Sequence, residues 1–411
     1  MTKYLVVLTD GMADHPVPEL DGKTPLQYAD TPHFDQLAAV SWMGTVKTVP
    51  DGFAPGSDVA NMSVLGYAPA KYYTGRSPLE AVSRGIVMTP QDLCFRCNFV
   101  TLSDEADYAE KTMLDYSAGE ITSEESAALI ASLNEALATD TLRFHNGISY
   151  RNLMLIQGGA GKTHQLTPPH DISDRVIGNY LPKEADGTTA EMLLDLMKKS
   201  YEIFSNHPVN QARIAKGLNP ANSIWLWGEG LKPGLASFRE EYGLTGSMIA
   251  AVDLLKGIAG CAGLDAPDVE GATGGIKTNF LGKAQAALAE LKTHDFVFMH
   301  IESADESGHQ GVPATKVWAI EQIDHIVLAE IMKHLDDFDD LRILITPDHP
   351  TPVALKTHVS EPVPCMIFDK NHPFKRENPL PFNEDTAKTG PHIPVGHDLM
   401  KLFLSGDYLK L

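Results

Sequence analysis

The sequence predicts an α/β fold, a mainly parallel sheet with helices on both faces that is interrupted by a smaller α+β domain. Short apolar runs end in acidic or small polar residues, which is typical of buried parallel strands. Helical patterns separate these runs, so strands and helices alternate along the chain. The stretch 72–221 does not follow this alternation, which indicates a second domain.

The predicted core elements lie on both sides of that stretch. Three of the core strands are followed by an acidic residue, and ligands gather at the carboxyl ends of strands in such sheets. The strands are Tyr4–Thr9, Asp295–Ile301, Leu341–Thr346 and Met366–Phe368, and the helices are Pro32–Val40, Ser247–Ala259, Lys283–Leu291 and Val317–Leu335.

The second domain is predicted over 72–221, so that the core comprises 1–71 and 222–411. We expect the core alternation to resume with a strand at Ile224–Trp227. Early acidic residues after a threonine mark the start of one helix in the insert. The elements of the insert are a strand Leu93–Leu102, a helix that follows Thr122, a strand Arg151–Gln157 and a helix Thr189–Phe204.

Composition excludes several classes of protein. The chain of 411 residues has 33 Lys and Arg against 54 Asp and Glu, a net charge of −21. So acidic a chain is a poor binder of nucleic acid or of anionic lipid, although a metal ion can reverse the local potential for an anionic substrate. Four cysteines exclude a disulfide scaffold. No apolar stretch reaches the roughly 20 residues of a membrane span and no targeting segment is visible, so we expect a cytoplasmic protein; its oligomeric state is not predicted.

Two motifs are interpreted as structural. The glycine-rich stretch Gln157–Thr163 resembles a phosphate-binding loop, but Ile156 stands where the motif needs its first glycine, so a turn is favoured. Cys94 and Cys97 are three residues apart in a predicted strand, where their side chains point to opposite faces. We therefore predict core cysteines and no zinc site.

The strongest chemical signal is a set of aspartates and histidines after predicted strands, with a serine before a predicted helix. Each aspartate alone could cap a turn, and each histidine could lie at the surface or in the core. Together, oxygen and imidazole ligands without thiolates favour divalent ions such as Mn²⁺ or Zn²⁺. Two adjacent ions suit phosphoryl transfer, and a metal-bound serine hydroxyl is a nucleophile. The candidates are Asp10, Ser57, Asp305, His309, Asp348, His349 and His358.

This constellation resembles the alkaline phosphatase superfamily and, within it, the archaeal-type cofactor-independent phosphoglycerate mutases. The most specific matching stretches are LVVLTDGMAD, PGSDVANMSVLGY, ESADESGHQG, ITPDHPTP and THVSEPVPCMIF. The resemblance implies an alkaline-phosphatase-like core and two divalent ions, Mn or Zn with Mg and Co as alternatives, without 2,3-bisphosphoglycerate. It implies one ion held by Asp305, His309 and His358, and the other held by Asp10, Asp348 and His349 with Ser57 as the nucleophilic ligand.

The implied activity is metal-dependent interconversion of 3-phosphoglycerate and 2-phosphoglycerate in glycolysis and gluconeogenesis, through a phosphoserine at Ser57. The inserted domain would act as a lid that excludes water and holds the small anionic phosphorylated substrate. His170 and Asp171 are the candidate acid/base pair, and Asp171 could instead bind a glycerate hydroxyl. Surface charges and structural salt bridges are the alternative for these residues and for the candidate substrate-binding cations, Arg96, Arg151, Arg175, Arg213 and Lys277.

Three other functions remain open at this point. One is phosphotransfer to another small hydroxy acid such as homoserine, against which the imperfect glycine-rich loop argues mildly. Another is a metal-dependent phosphomonoesterase or sulfatase, although a hydrolase gains little from excluding water. The last is a binding module without enzymatic activity.

Overall fold

A computed structural model describes residues 2–159, 164–184, 189–374 and 378–411. The chain forms two compact units, the core unit (Met1–Tyr73 with Leu235–Leu411) and the second unit (Thr74–Gly234). The second border therefore follows residue 234, whereas the sequence predicts it after residue 221. Part of the glycine-rich stretch, residues 160–163, lies outside the described residues.

The described residues contain strands of two to ten residues. In chain order they are β1 (Lys3–Thr9), β2 (Trp42–Val46), β3 (Leu93–Leu102), β4 (Met113–Asp115), β5 (Leu142–Ile148), β6 (Arg151–Ile156), β7 (His164–Gln165), β8 (Lys183–Glu184), β9 (Ser223–Leu231), β10 (Gly246–Ile249), β11 (Phe296–Ile301), β12 (Leu341–Thr346), β13 (Val363–Asp369) and β14 (His392–Ile393).

The α-helices surround both sheets. In chain order they are α1 (Pro25–Tyr28), α2 (Pro32–Ala38), α3 (Ser57–Val64), α4 (Pro69–Tyr72), α5 (Ser77–Ser83), α6 (Ser123–Leu137), α7 (Thr189–Ser205), α8 (Pro208–Ala215), α9 (Phe238–Tyr242), α10 (Asp253–Ala262), α11 (Phe280–Thr293), α12 (Ser303–Gln310), α13 (Pro313–Gln322), α14 (Ala329–Lys333), α15 (Glu384–Lys388) and α16 (Asp398–Ser405).

The shorter helical segments include a π-helix, Ile323–Leu328, that joins α13 to α14. The remaining 3-10 segments are Pro18–Leu20, Tyr108–Glu110, Pro169–Ile172, Ile177–Tyr180, Leu335–Asp337 and Asp407–Lys410.

The core sheet has seven strands in the order β10-β11-β1-β12-β13-β2-β14. Strands β10, β11, β1 and β12 are parallel, and only β13 runs antiparallel to its neighbours. Every residue of β11 is buried, as expected for a strand covered on both faces. The predicted α/β class with a mainly parallel sheet is thus confirmed, with an antiparallel strand that the apolar pattern of Met366–Phe368 could not reveal.

One predicted helix begins at the wrong place. The sequence predicts a helix over Ser247–Ala259, but Gly246–Ile249 is β10, which pairs with β11, and α10 begins only at Asp253. The four residues of β10 are all buried. A short buried strand has the same apolar pattern as a buried helical turn, and only pairing with the neighbouring strand separates the two.

The second unit is built on a five-stranded antiparallel sheet. Its order is β4-β3-β6-β5, and β9 also pairs with β3. The predicted return to the core at Ile224–Trp227 is therefore wrong, because these residues belong to β9. Helix α6 begins with the predicted signal: the Thr122 side chain accepts from the backbone of Glu125, whose side chain accepts from Thr122.

Each unit has its own apolar core. The core-unit cluster includes Leu5, Phe34 and Ile343, and the second-unit cluster includes Phe99, Phe204 and Trp225. Cys97 belongs to the second-unit cluster, whereas Cys94 packs in a separate cluster with Leu153 and Leu155. The two cysteines thus face opposite sides of β3, as predicted. In the part of the chain that the structure describes, none of the helices has the length and apolarity needed to cross a membrane.

Candidate active site

The carboxyl ends of three adjacent core strands bring together side chains that are far apart in the sequence. Asp10 follows β1, Asp348 and His349 follow β12, and β11 leads into α12, which carries Asp305 and His309. Because β11, β1 and β12 are parallel neighbours, these residues meet at one edge of the sheet. We call this region the carboxyl edge.

The first group at the carboxyl edge consists of Asp305, His309 and His358. The Nε2 atom of His309 lies 3.3 Å from Asp305 Oδ2, and the Nε2 atom of His358 lies 3.3 Å from Asp305 Oδ1. The two Nε2 atoms are 2.9 Å apart. One ligand atom from each residue falls within 4.8 Å of the others, so the three side chains could hold one metal ion.

The second group consists of Asp10, Asp348 and His349, all buried. The Nε2 atom of His349 lies 3.3 Å from Asp348 Oδ2, 3.7 Å from Asp10 Oδ1 and 3.3 Å from the hydroxyl oxygen of Ser57. Ser57 is the first residue of α3, where the helix dipole favours negative charge. The rings of His349 and His358 are 4.1 Å apart, so the two groups adjoin.

The turn after β1 depends on a glycine. Gly11 has a φ of +63°, and a Cβ atom there would stand 2.6 Å from the Cα of Asp305. Its backbone N–H donates to Asp348 Oδ1 at 3.1 Å. A side chain at this position would separate the two groups, so Gly11 is what allows their close approach.

A further cluster lies beside Asp10 and was not predicted. His300 Nε2 is 2.9 Å from Asp10 Oδ2, and these two residues with Glu302 have the spacing of a metal-binding triplet. The fully buried Lys283 donates to the His300 carbonyl at 3.1 Å. Burial lowers the pKa of Lys283 to about 8, raises that of Glu302 to about 8 and lowers that of His300 to about 3.

Electrostatics at the carboxyl edge follow from crowding and burial. Burial, reinforced by the charges of Asp348 and Asp305, raises the pKa of Asp10 well above its usual range. Burial opposes ionisation of Asp305 too, but hydrogen bonds from His309 and His358 lower its pKa well below the usual range. The same bond raises the pKa of His309 to about 9, whereas burial lowers that of His349.

The residues at this edge fit divalent metal ions. The Oδ1 atom of Asp10 is buried and has no hydrogen-bond partner among the described residues. Buried carboxylates that repel each other are stabilised in their ionised form by a compensating positive charge. The donors are carboxylate oxygens and imidazole nitrogens without thiolate, the set that hard to borderline divalent ions take.

Two further polar residues at the carboxyl edge were not predicted from the sequence. Asn61 donates to Asp348 Oδ2 and to the Ser57 carbonyl, both at 2.9 Å. It lies four residues after Ser57, one turn along α3 on the same face, which is the signal that could have found it. Thr351, two residues after His349, donates to Asp305 Oδ1 at 2.5 Å.

The second unit contains a polar cavity of about 350 Å³. Three of the predicted residues, Arg96, Arg151 and His170, line it. Arg96 lies 4.8 Å from the centre of the Trp227 ring, and its Nε donates to Glu80 at 3.2 Å, which orients the guanidinium. The other lining residues are Arg76, Asn98, Tyr116, Tyr150 and Trp227.

Arg213 and Arg175 do not line this cavity. Arg213 is buried and donates to Glu125 at 2.6 Å and to the carbonyls of Ala118 and Asn219. Its guanidinium is thus engaged inside the second unit, which favours a structural role over the predicted contact with substrate. Arg175 is exposed and donates to the Tyr180 hydroxyl at 3.3 Å.

The last two predicted residues are exposed. The Asp171 side chain is 60% exposed and lies 3.7 Å from His170 Nε2. Lys277 lies on the loop before α11. Gly274, on the same loop, packs against Glu302. That packing places the Lys277 loop beside the carboxyl edge without bringing the amine into either ligand group.

Comparison with known proteins shows which family the chain belongs to. Residues 38–210 match the family model described as 2,3-bisphosphoglycerate-independent phosphoglycerate mutase. A protein of that name from Methanosarcina barkeri is 48% identical over 94% of this chain and 95% of its own length. The chain belongs to the 2,3-bisphosphoglycerate-independent phosphoglycerate mutase family. A Geobacter sulfurreducens relative, named a probable member, is 47% identical over 98% of this chain and 99% of its own.

Solved structures share the whole fold of this family member. A protein from Pyrococcus horikoshii aligns with a TM-score of 0.81 at 30% identity, over 100% of this chain and 97% of its own. The cofactor-independent phosphoglycerate mutase from Thermoplasma acidophilum aligns with a TM-score of 0.70 at 25% identity, over 98% and 99% of the two chains. The family predicted from the motifs is thereby confirmed.

Proposed function

We propose that the protein interconverts 3-phosphoglycerate and 2-phosphoglycerate in a metal-dependent reaction through a phosphoserine. The observation that carries the proposal is the position of the Ser57 hydroxyl, 3.3 Å from His349 Nε2 and beside two adjoining groups of Asp and His. The names of the relatives supply the substrate and favour a mutase over a homoserine kinase or a phosphomonoesterase.

The two groups at the carboxyl edge would each hold one divalent ion. Mn²⁺ and Zn²⁺ suit their oxygen and nitrogen donors, with Mg²⁺ and Co²⁺ as alternatives. Bound there, the ions would supply positive charge to the phosphoryl oxygens and to the serine oxygen. The first set is Asp305, His309 and His358, and the second is Asp10, Asp348 and His349 with Ser57.

Ser57 performs the covalent step. Its hydroxyl oxygen forms a bond to the phosphorus of 3-phosphoglycerate, and the bond from phosphorus to the glycerate oxygen breaks. The serine proton ends on that glycerate oxygen. In the second half, the 2-hydroxyl oxygen of glycerate forms a bond to the phosphorus of the phosphoserine, and the bond from phosphorus to the Ser57 oxygen breaks. The proton of that hydroxyl ends on the Ser57 oxygen, which restores the serine. The N-terminus of α3 stabilises negative charge at Ser57 in both halves.

The cavity of the second unit would bind the carboxylate of glycerate. Arg96, Arg151 and Arg76 supply guanidinium groups, which match a carboxylate with paired N–H donors. His170, on the same wall, is our candidate proton carrier, with Asp171 as its partner or as a ligand of a glycerate hydroxyl. Lys277, in the core unit, is a candidate phosphate ligand. We also predict that the second unit acts as a lid that excludes water.

The test is an assay that follows several products with one preparation. Metal-stripped protein is supplied with Mn²⁺, Zn²⁺, Mg²⁺ or Co²⁺ and given 3-phosphoglycerate, and 2-phosphoglycerate is detected through enolase. Phosphate release is measured in parallel, as is ATP-dependent phosphorylation of homoserine. We expect metal-dependent formation of 2-phosphoglycerate without added 2,3-bisphosphoglycerate, together with a phosphorylated Ser57 peptide in quenched samples.

The controls separate this reaction from its alternatives. Dominant phosphate release would indicate a phosphomonoesterase, and phosphohomoserine would indicate a kinase. Either result without formation of 2-phosphoglycerate contradicts the proposal. Ser405→Ala, which changes an exposed serine at the end of α16, is the matched control for Ser57→Ala.

A further inference from the structure

Thr351 stands between the two ligand groups of the carboxyl edge. It is fully buried, on the segment that follows β12. Its hydroxyl oxygen lies 2.5 Å from Asp305 Oδ1, in the first group, and 3.3 Å from Nδ1 of His349, in the second. A single hydroxyl thus contacts both groups.

The number of protons assigns a direction to each of these hydrogen bonds. A threonine hydroxyl has one proton, and the carboxylate of Asp305 can only accept. The hydroxyl therefore donates to Asp305 and accepts from Nδ1–H of His349. A neutral imidazole protonated on Nδ1 has its free lone pair on Nε2, the atom that lies near Asp10, Asp348 and Ser57.

The backbone of Thr351 is held on every side. Its N–H donates to the Ala13 carbonyl at 3.2 Å, and its carbonyl accepts from Lys316 at 2.9 Å. Lys316 is fully buried, and its other acceptors are Asp14 Oδ2 at 2.7 Å and the Ala13 carbonyl at 3.2 Å. This ammonium therefore ties the segment after β12 to the segment after β1.

Helix α12 packs directly on the same carbonyl. Gly308, between Asp305 and His309 on that helix, leaves no room for a side chain: a Cβ atom there would stand 2.3 Å from the carbonyl oxygen of Thr351. The segments that carry both groups thus meet at Thr351. The backbone of Thr351, from which its hydroxyl projects, can move only if this packing is disturbed.

We propose that Thr351 is a positioning residue shared by the two ligand groups, whose hydroxyl orients Asp305 in one and fixes the Nδ1–H tautomer of His349 in the other. The inference rests on the metal-binding part of the proposed function and does not depend on the substrate. Residues that orient metal ligands through hydrogen bonds commonly change metal affinity by about 10- to 100-fold when removed.

The experiment compares Thr351→Val, which removes the hydroxyl at nearly constant volume, with Thr351→Ser, which keeps it. Binding of Mn²⁺ alone is titrated by calorimetry, and ¹⁵N NMR reports the tautomer of His349. We expect Thr351→Val to bind both ions about 10- to 100-fold more weakly and to lose the Nδ1–H tautomer. Thr351→Ser should stay close to the unsubstituted protein in both measurements.

Thr45→Val is the matched control, because Thr45 lies on β2 and its hydroxyl is 2.9 Å from the Nδ1 of His392, away from both groups. It should leave Mn²⁺ affinity unchanged. Equal affinity and an unchanged tautomer in Thr351→Val would overturn the inference, as would a Thr351→Ser protein as weak as Thr351→Val. If affinity follows the hydroxyl but no 2-phosphoglycerate forms, the inference holds and the proposed reaction fails.

Discussion

The carboxyl edge of the core sheet and the cavity of the second unit are built on opposite chemical principles. The carboxyl edge gathers carboxylates and imidazoles that are largely buried and contact one another. The cavity gathers guanidinium groups between aromatic rings, and it opens to solvent at Arg151, which is exposed. One region concentrates carboxylates, and the other concentrates guanidinium groups.

This difference separates two requirements of phosphoryl transfer to a small acid. Charge that develops on the reacting phosphoryl group must be met by fixed positive charge in a buried place. The carboxylate that identifies the substrate needs only directional donors, which partly exposed arginines provide. Substitutions in the two regions should therefore have different kinetic signatures.

The largest effect should come from the nucleophile. Ser57→Ala removes the atom that receives the phosphoryl group, so kcat should fall by at least ~10⁴-fold, as for other covalent nucleophiles. Metal binding should persist in part, because six other side chains would still be able to hold the ions. Steady-state kinetics and Mn²⁺ titration check both points. Turnover at the normal rate would contradict the assignment of Ser57.

Substitution of a proposed metal ligand should weaken metal binding without unfolding the protein. His309→Ala removes one of three donors of the first group, and we expect one ion to bind at least ~100-fold more weakly, while the fold is retained. Metal analysis and circular dichroism are the measurements, with His334→Ala on the exposed end of α14 as the control. Two tightly bound ions in His309→Ala would exclude this residue from the site.

Substitution of an arginine that lines the cavity should weaken substrate binding, whereas substitution of a buried arginine outside the cavity should lower stability. Arg96→Ala should lower kcat/KM by about 10- to 100-fold, mainly through KM, because a charged hydrogen bond to substrate is worth about 1.5–3 kcal/mol.

Arg213→Ala should leave KM unchanged and lower the free energy of unfolding by about 2 kcal/mol, since it breaks a buried ion pair whose Glu125 partner is one quarter exposed. Denaturant unfolding and kinetics on both variants test the pair. A raised KM in Arg213→Ala would restore it as a substrate ligand.

The smallest expected effect is a pH-dependent loss of stability when Asp115, the last residue of β4, is substituted. Burial opposes ionisation of Asp115, but hydrogen bonds from Ser117, Asn219 and Gly119 lower its pKa below the usual value. A lowered pKa contributes stability above the unfolded-state value near 4, and this contribution is lost as the pH falls through the folded-state pKa.

Asp115→Asn should therefore lower the free energy of unfolding by about 1 kcal/mol at pH 7, with the difference shrinking below about pH 4. Asp104→Asn, at an exposed aspartate, is the control. Urea unfolding at several pH values measures the difference, and a difference independent of pH would refute the assignment.

Local pattern predicted several elements well. The bounds of β3 and β12 are those expected from the sequence, and α6 begins at the predicted capping signal. These elements have clear apolar periods or caps, which act over a few residues. Strand β10 was not predicted, and β9 was assigned to the wrong sheet, because both outcomes depend on which strand each one pairs with.

The residues of the candidate site also fall into two sets, those that motifs predicted and those whose surroundings only the fold revealed. Motifs alone singled out the six residues of the two ligand groups and Ser57, and the structure brings these seven residues together at one edge. The burial of Arg213 and its ion pair with Glu125 were not predicted, because a charged residue has the same appearance in a sequence whether it faces solvent or a carboxylate inside the fold. Burial and partner are properties of the fold.

The amino-acid sequence by itself determined the fold class, the family and the side chains able to bind divalent ions, because each leaves a short-range pattern of residue types. Only the tertiary structure decided which strands pair, that Thr351 and Lys316 hold the ligand-bearing segments, and which arginines reach the cavity. Those outcomes depend on contacts between residues tens to hundreds of positions apart, which no local pattern encodes.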